Sequence, residues 1–320
     1  MRIKHNIDWA LRRINALWDE SRLVDNIFDY NQVIRKRPDL DRDVYGSNGF
    51  YGGSYVLKHY SGYKRKVCGL IEHAPGLTNI ALGEYKSDIS NNLFVCSKQR
   101  KKFLLDKTKQ NIFDIGPIIA YADGVYTKAA VDNIRGTLGK TLLVYPVHNF
   151  FDSNWKSDVE SFIEYVKEIV RDFKYDTVLV SMYHIDIKNG AHFRYMKEGW
   201  HIVSAGETYN YDFNDCMKTI ISLADCAVFQ AYSSAVGYCI YMGVPVNICN
   251  EQKFMVHSMW RKNYADDILD EFTRVFGEYT ESITSKQRSF ASYYFGFDSV
   301  KSPQQLNKLL VLAHKLHKGK

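Results

Sequence analysis

Between residues 140 and 249 short apolar runs alternate with amphipathic stretches, and this alternation limits the possible folds more than any other feature of the chain. KTLLVYPVH (140–148), DTVLVSMY (176–183), WHIVSA (200–205), CAVFQ (226–230) and VPVNIC (244–249) are hydrophobic segments of strand length. A strand with no polar face has to be covered on both sides, as in a parallel sheet. Between the runs lie DVESFIEYVKEIVRDF (158–173), with Ser157 placed to cap it, then FNDCMKTIISLAD, and a short helix over 234–242. Strands alternating with helices at these lengths predict a Rossmann-like domain over 138–320.

The first 137 residues are less regular. A helical start (about 5–35) precedes the glycine-rich SNGFYGGSY. KVCGLIEH (66–73), NLFVCS (92–97) and NIFDIGP (111–117) read as strands, with a helix over 97–107 between two of them. A second, smaller α/β domain is expected here, and VDNIRGTLGK (131–140) is expected to be the hinge because it is punctuated by glycine. With 320 residues, each domain can bury a core of its own.

Other functional classes are excluded or weakened. A chain that is 46% hydrophobic and 24% charged is neither disordered nor fibrous. No apolar run approaches the roughly 20 residues of a membrane span. MRIKHNIDWALRR carries charges where a signal peptide has its apolar core, so a cytoplasmic location is expected. The six cysteines form no C-x-x-C pair and fall mostly in apolar segments, as buried free thiols do. The net charge of +6 is N-terminal in origin: residues 1–137 hold 22 Lys+Arg against 15 Asp+Glu, and the remainder 20 against 21. That excess suits either an ordinary solvated surface or a phosphate-rich partner such as an anionic membrane. No basic-aromatic RNA-binding motif accompanies it, so nucleic acid is not an expected partner.

Parallel sheets bind ligands at the carboxyl ends of their strands. Ser233 and Ser234 follow the strand at 226–230, beside Tyr232. One serine can cap the helix while the other, with free N–H groups, holds a phosphate. No P-loop and no G-x-G-x-x-G fingerprint occurs. Glu72 and His73 close the first strand of the N-terminal domain, and either one is a candidate general base. His148 ends the first strand of the second domain and is placed to stabilise a leaving phosphate or to act as an acid. Tyr183 and Asp186, with Glu207, end two further strands and are candidate sugar or base contacts, and His184 and His192 have no third ligand at zinc spacing.

DCAVFQAYSSAVGYCIYMGVPV resembles the donor-binding segment of GT-B glycosyltransferases from bacterial surface-polysaccharide clusters. The wider string YSGYKRKVCGLIEH, FVCSKQRKKFL, IGPIIAYADGVY, GKTLLVYPVHNF and DTVLVSMYHIDI is similar to proteins of O-antigen and capsule gene clusters. EHAPG is similar to the histidine-glycine motif of the CDP-glycerol-dependent polymerases of teichoic acid synthesis, although Ala74 replaces the glycine. YADGVY has a single acid where sialyltransferases of this fold carry two.

The resemblance implies two Rossmann-like domains facing a cleft. It further implies a nucleotide-activated sugar, a CMP-sugar among the options, as substrate, with no cofactor and no metal. A glycan or lipid-linked glycan is the implied acceptor, met at the inner face of the membrane. Two other functions fit the same residues: transfer of a polyol phosphate from a CDP-linked donor, and a catalytically inactive subunit of glycan assembly.

Overall fold

The computed structural model describes residues 24–37, 43–72, 90–148, 158–249 and 266–318. Five strands, β4 (Thr141–Tyr145), β5 (Thr177–Ser181), β6 (His201–Val203), β7 (Cys226–Phe229) and β8 (Val246–Ile248), form one parallel sheet in the order β6-β5-β4-β7-β8. Three more, β1 (Leu70–Ile71), β2 (Asn92–Val95) and β3 (Asn111–Asp114), form a second parallel sheet in sequential order. The expected pair of Rossmann-like units is present, the N-terminal one smaller.

Alternation along the strands distributes the side chains between two cores. Leu142, Val144, Val178, Val180, Cys226 and Val228 point to one face of the large sheet. There they meet Phe162, Ile163, Val166 and Ile169 of α5 (Val159–Phe173). Leu143, Tyr145, Leu179, Ala227 and Phe229 point to the other face, as a period of two requires. That second core also takes in Ile71 and Phe94 of the small sheet, so the two units share one apolar interior. The small sheet's opposite face, with Leu70, Leu93, Val95 and Ile112, is closed by Leu104 of α3 (Lys98–Leu104). All six cysteines are buried and unbridged.

Chain ends cross between the units. Residues 24–37, including the single turn α1 (Tyr30–Val33), lie against the large-sheet unit: Ile34 joins its core, and the Arg37 Nε donates to Asp212 at 2.8 Å with both side chains buried. In the opposite direction α12 (Pro303–Lys318) returns to the small-sheet unit. There the Asn92 amide donates to the Ala313 carbonyl at 2.9 Å and the Asn307 amide to the Ser61 carbonyl at 3.0 Å.

Three expectations are revised. The stretch 131–140 is no loose hinge: α4 (Lys128–Leu138) runs through it, capped by Thr127 and ended by Gly139 at φ +68°. Its Arg135 donates to the carbonyls of Ser222 and Ala224 at 3.1 and 2.9 Å, fastening it to the large-sheet unit. The cap of α5 is Asp158, whose carboxylate accepts from Ser161 N at 3.0 Å, while Ser157 lies outside the described residues. The glycine-rich SNGFYGGSY forms 3-10 turns within Gly46–Gly52, kinked at Phe50 and Tyr51, that lead into α2 (Gly53–Ser61). The expected helix over about 5–35 is also corrected: of its residues 24–35 are described, and among these only α1, a single turn, is helical, the rest being turns and irregular chain.

Candidate functional site

In this strand order the chain moves outward from β4 in both directions, so β4 and β7 border the point where the connections reverse, and the crevice at their carboxyl ends is where such sheets take ligands. Register places Tyr145 beside Phe229, so Pro146–His148 and Gln230–Ser234 leave the sheet side by side. Gln230 ties them together. Its backbone N–H donates to the Tyr145 carbonyl at 3.0 Å, and its Oε1 accepts from Val147 N at 3.0 Å. This second bond fixes the amide's orientation, which leaves Nε2 buried with no hydrogen-bond partner among the described residues. Gln230 is 1% exposed, and a buried donor left unmatched costs about 1–3 kcal/mol, so a ligand acceptor there is favoured. The sequence contains no signal for Gln230, because a glutamine closing a strand looks like any polar residue.

The half-buried serine pair opens α9 (Ala235–Tyr241). Ser233 Oγ accepts from Ala235 N at 3.3 Å, a long bond, and Ser234, at the cap position with helical φ and ψ, makes no side-chain cap bond. Beside them Tyr232 sets its ring edge-on to Phe272 of α10 (Asp266–Phe276), with centroids 5.2 Å apart.

His148 stands half-buried with its ring 5.1 Å from that of Tyr183, whose hydroxyl shares a 2.9 Å bond with Thr208 Oγ1. Next to Thr208, Glu207 is buried, its carboxylate accepting from Tyr209 N at 3.0 Å. The ends of β4, β5 and β6 thus bring His148, Tyr183 and Glu207 to one side of the crevice. Asp186, in the short α6 (His184–Lys188), is buried within electrostatic reach of Tyr195 in the neighbouring α7 (His192–Met196).

Burial pushes His148, His184 and His192 below the ordinary histidine value, so all three are neutral near pH 7. Between the folded and unfolded values the unfolded chain binds more protons, and stability therefore falls as pH drops below about 6.5. The unfolding temperature is expected to decline from about pH 7.5 to about pH 5.5, and less steeply in His184→Gln. A flat profile across that window would count against these neutral, buried imidazoles.

Glu72 ends β1 facing Arg100 of α3, Oε1 to Nε 2.6 Å, with both side chains 2% exposed. Beside it is a cavity of about 10 Å³, room for one water. Its walls include Cys96 and Gly116 from the carboxyl ends of the small sheet and Tyr238 from α9. His73 lies outside the described residues. Tyr51, to which the sequence assigns no role, stands between the two groups. Its backbone crosses from the small unit to the large one: N donates to the Thr208 carbonyl at 2.6 Å, and its carbonyl accepts from Asn214 Nδ2 at 2.5 Å. The phenol is pushed up to about 12 by burial and by nearby Tyr183, and it lies within electrostatic reach of Tyr238 as well. Tyr51 adopts φ +56°, a left-handed conformation that costs a side-chain-bearing residue about 1–3 kcal/mol and collects at functional sites.

No protein-family model matches this sequence, and no curated protein does. Among solved structures the chain is similar to the wall teichoic acid polymerase TagF, at 13% identity and a TM-score of 0.44, over 80% of this chain and 69% of that one. It is also similar to UDP-GlcNAc 2-epimerase from Methanocaldococcus jannaschii in complex with UDP-GlcNAc and UDP, at 12% identity and a TM-score of 0.42, over 71% and 62% of the two chains. A third is the pneumococcal O-GlcNAc transferase GtfA in complex with UDP and GlcNAc, at 11% identity and a TM-score of 0.34, over 83% and 51%. This chain therefore spans between about half and about two thirds of the length of these proteins. Likeness at these identities does not extend to function.

Proposed function

We propose that this chain is a glycosyltransferase that uses a nucleotide-activated sugar to build a bacterial surface polysaccharide of the O-antigen or capsule kind. The observation that carries the reading is the carboxyl end of β4 and β7, where Pro146–His148 and Gln230–Ser234 leave the sheet side by side and the buried Gln230 amide has a donor unmatched among the described residues. Ser233, Ser234 and Gln230 Nε2 are donors suited to phosphate oxygens, and the reading keeps Tyr183, Glu207, Tyr232 and Asp186 as its base and sugar contacts. The acceptor hydroxyl oxygen forms the new bond to the anomeric carbon, the bond from that carbon to the nucleotide phosphate oxygen breaks, and the nucleotide leaves with the electron pair. His148, neutral in the free protein, hydrogen-bonds the departing phosphate. Because Arg100 Nε donates to Glu72 Oε1 at 2.6 Å, His73 rather than Glu72 takes the acceptor's proton in this scheme. The scheme uses no metal and no cofactor, and its acceptor is a glycan, lipid-linked or free.

Thermal unfolding against CMP, CDP, UDP, GDP and ADP tests this. One nucleotide at one hundred times its dissociation constant is expected to add about 2.7 kcal/mol of stability. The gain is expected to vanish in Ser233→Ala/Ser234→Ala and to shrink in Gln230→Leu, whose lost bond to a charged group is worth about 1.5–3 kcal/mol. A response to CMP names a sialic-acid or Kdo type of donor, UDP or GDP a common hexose, and CDP the polyol-phosphate reaction. Indifference to all five, in wild type and variants alike, would leave the serines as a helix start and point to a non-catalytic subunit of glycan assembly.

A further inference from the structure

The last helix carries a feature that the transferase reading does not use. α12 buries one side: Leu306, Leu310 and Ala313 are 0%, 1% and 0% exposed. At 100° per residue, Lys308, Val311, Leu312, Lys315 and Leu316 share the opposite arc, and all five are exposed. A helix face turned to water ordinarily mixes acids and bases and keeps its aliphatics singly placed. Here no Asp or Glu occurs from Ser299 to Lys320. Val311, Leu312 and Leu316 are 38%, 46% and 39% exposed, and among the described residues they make up three of the ten exposed large hydrophobics, more than any other element contributes.

The charge extends past the helix. Lys64, Arg65 and Lys66, all exposed, occupy the turn after α2, which Asn307 ties to α12 through the Ser61 carbonyl. Past that turn, Cys68 Sγ stands 3.2 Å from His314 Nδ1. No ion pair reaches Lys308, Lys315 or the 64–66 turn among the described residues.

We propose that the outward face of α12 rests on an anionic lipid surface, lying in the plane of the interface with Val311, Leu312 and Leu316 in the acyl boundary and Lys308 and Lys315 among the lipid phosphates. At 1.5 Å per residue its 16 residues present a strip about 24 Å long. A basic polar face joined to a leucine-bearing one is the composition of helices that lie on membranes, and neighbouring cations add to their hold on acidic headgroups. Charge complementarity selects this occupant. A nucleic acid would answer the lysines and leave the aliphatics in water, whereas a lipid surface satisfies both. The inference goes beyond the transferase reading and stands whatever reaction the crevice performs.

Co-sedimentation with vesicles tests it. Wild-type protein is expected to sediment with vesicles of phosphatidylglycerol and phosphatidylcholine, to stay in solution with phosphatidylcholine alone, and to be released by salt. Leu312→Glu/Leu316→Glu and, separately, Lys308→Glu/Lys315→Glu are expected to reduce the bound fraction by about tenfold or more. Their substituted side chains face outward, so circular dichroism and the unfolding temperature should match wild type. Phe193→Glu, at the exposed Phe193 of α7, is expected to bind as wild type does. Failure of wild type to sediment overturns the proposal, whether the protein instead binds DNA or self-associates through this face in light scattering. Equal binding by wild type and both double variants overturns it too, because contact would then lie elsewhere.

Discussion

Arg100→Ala is expected to lower folding stability by about 3–5 kcal/mol, the ordinary cost of removing one partner from a buried ion pair. Both side chains are 2% exposed, and the guanidinium also lies 5.3 Å from the Phe103 ring centroid, so its loss removes packing as well as charge. The Glu72 carboxylate would be left in the interior without its cation, beside a cavity too small to hydrate it freely. In urea the midpoint should fall with little change in slope, since the folded topology is unaltered. Glu72→Leu/Arg100→Met provides the contrast: replacing a buried pair by apolar groups of similar volume is often neutral or stabilising. A double variant as unstable as Arg100→Ala would show that the pair is held by more than its two charges. If the double variant is stable and carries out the proposed sugar transfer as wild type does, Glu72 positions the end of β1. If it is stable and inactive, the carboxylate belongs to the chemistry.

Arg100 also shows where the sequence becomes unreadable. In SKQRKKFLLDK five cations look alike, and helical spacing places them on a solvated surface. Only one occupies the third helical position, where its N–H is taken by the Ser97 hydroxyl at 3.0 Å and its side chain turns inward to a residue 28 positions earlier. The large sheet was legible because its strands are buried on both faces, so their sequences need no knowledge of neighbours. Its order was not legible, since that depends on which strands pair. His148 and the serine pair were singled out by assuming that ligands collect at strand ends. Gln230 was missed because its significance comes from Val147, 83 residues earlier. Two glycines made 131–140 look like a hinge. Gly136 instead fits inside α4 with open space around its Cβ position, and only Gly139 uses a conformation that glycine favours.

Gly52→Ala is expected to cost roughly 2–5 kcal/mol, through two effects that a second glycine separates. Gly52 and Gly62 both adopt φ +66°, where a Cβ costs about 1–2 kcal/mol from backbone sterics alone. Around Gly62 nothing lies within 4 Å of an added Cβ, so Gly62→Ala should show that penalty and little else. At Gly52 the Cβ would sit 2.2 Å from the Tyr211 carbonyl oxygen and 3.1 Å from that of Asn210. Backbone cannot swing aside as a flexible side chain can, and the overlap adds about 1–3 kcal/mol. What must yield is the contact that seats Tyr51 against Thr208 and Asn214, the small unit's reach across to the large one. Gly52→Ala should therefore also lose nucleotide-dependent stabilisation that Gly62→Ala retains, because Thr208 is the residue that holds the Tyr183 hydroxyl. Equal stability losses in the two variants would mean that the Tyr51 loop moves away at little cost. Equal nucleotide responses would place that loop outside the binding site.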